Sequence, residues 1–105
     1  MKKEYNKLIR DKIPSIIKQS GKDFEVEKVS DVTNFVKEKI KEETSELIEA
    51  TLREDIVNEF ADVYEILDKY REELNISKSE IREAQSLKNK KRGKFKKNLI
   101  LKWTK

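Results

Sequence analysis

Four acids carry the most chemical promise in this chain: Glu43 with Glu46, and Glu59 with Asp62, each pair at i, i+3 spacing in neighbouring segments of helical periodicity. Carboxylates one turn apart on a helix project the same way. At about 100° per residue, Glu43 and Glu46 also fall inside the arc that holds Phe35, Val36, Ile40, Leu47 and Ala50, an apolar face. Acids crowded on such a face raise one another's pKa or demand a cation. Oxygen donors in this number suit Mg2+, with Mn2+ as a substitute, and magnesium shares its remaining positions with phosphate oxygens. Glu42, next to the arc, could serve a second metal or take a proton from an attacking water, because the chain has no His for that role.

The plainer alternative is a solvated acid paired with Lys39, Lys41 or Arg53 across a helix turn. It suits Glu38, Glu49, Glu54, Asp55, Glu65, Glu72 and Glu73. It is weak for Glu43 and Glu46, since it leaves two charges on the face that buries Val36, Ile40 and Leu47. Glu59 and Asp62 lie beside their own helix's apolar stripe rather than within it, so their case rests on their partners across the hairpin. Lys39, one turn before Glu43, is either a salt bridge to the acids or a phosphate contact.

These side chains need helices to hold them. Tyr5 to Ser20 reads as a basic irregular segment and then a short helix, opened by Pro14 and closed by Gly21. Alternation from Phe24 to Val29 suggests a short strand, and Asp31 offers an N-cap. A long helix is expected from about Val32 to Leu52 and a second from about Glu54 to Leu74. The second has a seam of Ile56, Phe60, Val63, Leu67, Tyr70 and Leu74. So short a link folds the two into an antiparallel hairpin that brings the acid pairs together. Ser77 to Glu80 has the form of a capping box for a third long element that stops at Gly93. The closing Leu99 to Trp103 run is expected to pair as a strand with the Phe24 segment. The fold class is therefore mainly α: one domain over residues 1–105, an antiparallel helical bundle with a short terminal β pairing.

Composition narrows the chemistry. With no Cys and no His, thiolate nucleophiles, a His base and the usual zinc ligand sets are excluded, so any metal must be held by oxygen. Two Gly and one Pro leave no room for a Gly-rich phosphate loop. No apolar run approaches the roughly 20 residues needed to span a bilayer, and the chain is expected to be cytoplasmic. At 44% charged and 35% hydrophobic it is too polar to bury much alone, so a homodimer or homotetramer is expected. Acids dominate from Glu42 to Asp62, while Lys88 to Lys105 has many bases and no acid, which favours a polyanionic partner.

Glu42-Glu43-Thr44-Ser45-Glu46 and Glu59-Phe60-Ala61-Asp62 resemble the EExxE and ExxD signature of the MazG-like, all-α nucleoside triphosphate pyrophosphohydrolases. The flanks Tyr5 to Pro14, and Lys91 to Phe95 with Leu99 to Leu101, look like those of a phosphoribosyl-ATP pyrophosphohydrolase-like subgroup. The resemblance implies hydrolysis of a nucleoside triphosphate between its α and β phosphates. It implies Mg2+ ligands at Glu43, Glu46, Glu59 and Asp62, and catalytic roles for Glu42 and Glu43. Candidate phosphate contacts are Lys7, Arg10, Lys12, Lys39, Lys91, Arg92 and Lys94. The competing expectation is a helical nucleic-acid-binding or regulatory module that uses the basic C-terminal tail.

Overall fold

Each helix begins and ends where local chemistry favours it. The computed structural model describes residues 2–105 and contains four helices: α1 (Ile13–Gln19), α2 (Thr33–Glu49), α3 (Arg53–Glu73) and α4 (Lys78–Arg92). Pro14 lies in the first turn of α1, where its missing N–H costs no hydrogen bond. The Ser20 hydroxyl donates to the Ile17 carbonyl at 2.6 Å, and Gly21 takes a left-handed φ of 77° just beyond. The N-cap of α2 is Val32 rather than the expected Asp31, which stands one residue earlier and accepts from the Thr33 N–H at 3.0 Å. That backbone hydrogen bond, with a second from the Thr33 side chain, holds the Asp31 carboxyl below the usual carboxylate range.

Residues to Leu74 form one unit and Asn75–Lys105 a second. In the first, α2 stops at Glu49, short of the expected Leu52, because Ala50 turns to extended backbone. Leu52 is also extended, and Glu54 and Asp55 then sit in the first turn of α3, the end of a helix that favours negative charge. A link of this length leaves α3 no course except back along α2, and the two helices pack against each other.

The core of this hairpin is small. Val36, Val63 and Ile66 are its buried apolar side chains, and Val36 alone is fully enclosed. The seam expected on α3 is only partly the packed face. Val63 is buried and Ile56 and Tyr70 are half-buried, but Phe60, Leu67 and Leu74 are exposed while Ile66 goes inside. Two apolar stripes on α3 share Ile56, Val63 and Tyr70, and α2 covers the one that runs through Glu59 and Ile66.

In the second unit, the Ser77 N–H donates to Glu80 Oε2 at 2.8 Å and the Glu80 N–H to Ser77 Oγ at 3.1 Å, the reciprocal capping box. Asn75 supplies the preceding break at a φ of 55°, and Gly93 ends α4 at 80°. No residue of α4 is buried.

The expected β pairing is absent: among the described residues there is no strand, and the segments 24–29 and 98–104 are both irregular. Phe24 and Val26 stand half-exposed, and Leu99, Ile100, Leu101 and Trp103 more so. Alternation sets which way side chains point. It does not supply the third strand or the packed helix that a lone pair of strands needs in order to persist.

Candidate metal centre

Glu43 projects from the middle of α2 into its packed face, where it is 8% exposed. Glu46, one turn on, opens to solvent, and Glu59 reaches in half-buried from α3. One carboxylate oxygen from each of the three lies within 4.8 Å of the other two. Glu43 Oε2 and Glu59 Oε2 are both buried and have no hydrogen-bond partner. Two orphaned anionic oxygens at one place are costly in a fold unless a cation or proton meets them.

Bases gather round this cluster. Lys39 Nζ, 17% exposed, lies 3.4 Å from Glu43 Oε1 and 3.4 Å from Glu42 Oε1. Lys7 Nζ reaches Glu42 Oε1 at 3.1 Å from the N-terminal segment, and Arg10 Nη2 reaches Asp62 Oδ1 at 2.7 Å. Leu8 and Ile9 between them are half-buried, which ties this stretch of chain down.

Electrostatics separate the two neighbouring glutamates. Burial raises the Glu43 carboxyl above its ordinary value, the charges of Glu46 and Asp62 add to this, and Lys39 only partly offsets it. Burial also pulls Glu42 upward, but the Lys7 hydrogen bond and the charges of Lys39 and Lys7 outweigh it, so Glu42 is lowered. One is a reluctant anion and the other a ready one.

That contrast gives a pH prediction. A raised carboxyl favours the fold while protonated, so its contribution is complete below the unfolded value near 4.5 and is lost as pH rises through the folded value. Glu42 runs the other way, stabilising above about 4.5 and losing its contribution as pH falls. Without divalent ions at neutral pH, Glu43→Gln is expected to raise the thermal midpoint by about 4 °C, the shift that roughly 1 kcal/mol produces in a domain of this size. The gain should vanish at pH 4. Melting curves of both proteins at the two pH values check this.

Of the residues singled out in the sequence, Glu42, Glu43, Glu46, Glu59, Asp62, Lys7, Arg10 and Lys39 come together in the first unit. Asp62 stands at the edge, held by Arg10 and outside the three-oxygen group. Lys12 occupies the N-cap position of α1 without a capping hydrogen bond from its side chain, and it joins no ion pair among the described residues. Lys91 and Arg92 lie in the last turn of α4 and Lys94 just after it, in the second unit. The inward turn of Glu59 is the feature that residue spacing misses, because the more apolar stripe of α3 points elsewhere.

Compared with known proteins, the chain matches no protein family, no curated protein and no solved structure. The chemistry of the site therefore has to come from its own geometry. Three carboxylates that offer oxygen alone, two of them with buried unpaired atoms, fit a hard divalent cation such as Mg2+ or Mn2+.

Proposed function

We propose that this chain is a divalent-cation-dependent nucleoside triphosphate pyrophosphohydrolase that serves the nucleotide pool, releasing a nucleoside monophosphate and pyrophosphate. The observation that carries the reading is Glu43, 8% exposed, with one carboxylate oxygen unpartnered and the oxygens of Glu46 and Glu59 beside it. Lys39 pairs with the other oxygen of Glu43 and leaves this one buried and bare. The position of the cleaved bond follows from the likeness of Glu42 to Glu46 and Glu59 to Asp62 to the EExxE and ExxD signature.

When bound, Mg2+ would neutralise charge building on the phosphoryl oxygens and help orient a water for in-line attack. The chain's own groups do the rest. Glu43, Glu46 and Glu59 would hold the ion, and Glu46 is the one of the three that is open to solvent. Glu42, which Lys7 and Lys39 keep ionised before substrate binds, would accept the water's proton. Lys39 gives a fixed positive charge next to the acids, the position a phosphate oxygen would share.

A second copy of the chain belongs to the same reading. Val57, Phe60, Tyr64 and Leu67 are exposed on α3, with Phe60 and Tyr64 edge to face at 6.3 Å, and a core of three side chains is small for the hairpin behind them. Like hairpins packed on this stripe would complete a bundle, as a homodimer or homotetramer.

The competing reading, nucleic-acid binding by the tail, is favoured by one observation: among the described residues, no base from Lys88 to Lys105 forms an ion pair. It predicts affinity that falls steeply with salt and is indifferent to magnesium. The deciding experiment incubates the protein with a panel of nucleoside triphosphates and Mg2+ and identifies the products. Pyrophosphate with the matching monophosphate, lost on chelation, supports hydrolysis. Inorganic phosphate with a diphosphate, or no turnover of any nucleotide, would sink it.

A further inference from the structure

The acid cluster carries its own counter-ions, and they are not equally tied. Formally, Glu42, Glu43, Glu46, Glu59 and Asp62 bring five negative charges, against which Lys7, Arg10 and Lys39 set three positive ones. The remainder is the charge of one divalent cation. Lys39 is embedded at 17% exposure and meets two of the acids from its own helix, so it has nowhere else to go. Lys7 and Arg10 differ: their side chains are 39% and 58% exposed, and each makes one ion pair to an acid 35 or 52 residues away.

Exposed pairs of this kind are weak and readily exchanged. Their backbone, in contrast, is held. Leu8 and Ile9 are half-buried between them, and the Ile13 N–H donates to the Arg10 carbonyl at 3.1 Å, leading straight into α1. Two long cationic side chains on an anchored segment can change partners without moving the chain. The Arg10 guanidinium, with five donors in a fork, fits a phosphate as well as the carboxylate it now holds.

We propose that Lys7 and Arg10 are exchangeable counter-ions: they occupy Glu42 and Asp62 while the cluster lacks a divalent cation, and pass to the phosphate oxygens of the bound nucleotide once the cation is in place. This rests on the hydrolase reading above and assigns the two residues a task within it. The two bases, on Glu42 and Asp62, offset part of the negative charge that draws a cation to Glu43, Glu46 and Glu59, so neither metal alone nor anion alone binds well, and the pair binds together. Pyrophosphate, the more highly charged product, is the anion these bases would hold longest.

The test uses the full chain and two probes, Mn2+ alone and then inorganic pyrophosphate with Mn2+ saturating, both followed by calorimetry. Lys7→Met and Arg10→Met should each tighten Mn2+ by about 1.5- to 5-fold, the range for losing one exposed ion pair. The double variant should bind pyrophosphate about 10-fold more weakly. Lys18→Met is the control: it makes the same change of charge on α1, into which this segment leads, without an ion pair to break, and should leave both affinities within error. Mn2+ binding that is unchanged or weaker in the Lys7 and Arg10 variants, equal tightening by Lys18→Met, or undiminished pyrophosphate affinity overturns the exchange. Lys7→Gln and Arg10→Gln repeat the measurement should either Met variant misfold. Glu43→Gln separates the two levels. If it abolishes Mn2+ binding while the Lys7 and Arg10 variants behave as the native chain, the metal centre stands and the exchange falls; if the native chain binds no Mn2+ even with pyrophosphate present, the metal centre itself falls.

Discussion

Glu43→Gln is expected to lower pyrophosphate release by roughly 10²- to 10³-fold, the usual cost of deleting one charged group that acts directly on a phosphoryl transition state. The amide keeps the size of the side chain and leaves an oxygen to accept from Lys39, but it removes the negative charge that draws a cation to the two buried unpartnered oxygens. Helical circular dichroism should be unaltered, and the metal-free protein should melt higher. That combination, less activity with more stability, distinguishes a binding group from a structural one, because a structural acid would lose both. Glu49→Gln, an exposed acid at the end of the same helix, is the comparison and should leave turnover unchanged. Equal turnover in the Glu43 variant and the native chain would remove the catalytic reading of the cluster.

The second large effect concerns the hairpin that holds the acids. Ile66→Ala is expected to cost about 2–4 kcal/mol, a large share of the 5–15 kcal/mol that a small domain has in total. Ile66 is 8% exposed and is one of three buried apolar side chains among the described residues, so little else compensates for its loss. Leu67→Ala, next to it and 45% exposed, should cost under about 1 kcal/mol in dilute solution. If a second copy covers the stripe of Phe60, Tyr64 and Leu67, the Leu67 variant becomes the costlier as protein concentration rises. Urea unfolding at two concentrations, with the mass in solution measured alongside, reads both effects. A Leu67→Ala cost matching that of Ile66→Ala at high dilution would mean that α2 covers the other stripe.

How much of this can be read from residues alone depends on the distance over which each feature is decided. Pro14, Gly21, Gly93 and the Ser77 to Glu80 box mark helix ends correctly, and Asp31 misses its N-cap by one residue, because a cap is settled between residues two to four apart. Glu43 is conspicuous for the same reason: its wheel position against Val36 and Ile40 needs nothing beyond α2. The strands at residues 24–29 and 98–104 fail because a strand needs a partner, and alternation says nothing about whether one is present. Glu46 shows the limit of the wheel, since it shares the apolar arc with Glu43 yet lies in solvent.

Glu59 belongs to tertiary structure altogether. Hydrophobicity along α3 favours the stripe through Phe60 and Leu67, yet α2 lies along the neighbouring stripe, which turns Glu59 toward Glu43 and leaves the more apolar stripe exposed. Likewise, nothing in the spacing places Lys7 on Glu42 or Arg10 on Asp62, for those contacts join residues 35 and 52 apart. The sequence by itself determined which groups could do chemistry here: carboxylates at helical spacing, with no His and no Cys to offer another route. The packing of α2 on α3 decided which of those carboxylates share a site and which bases answer them. Residue type and helical phase are local properties of a chain, whereas the choice between two available faces is made only when a second element comes to lie against one of them.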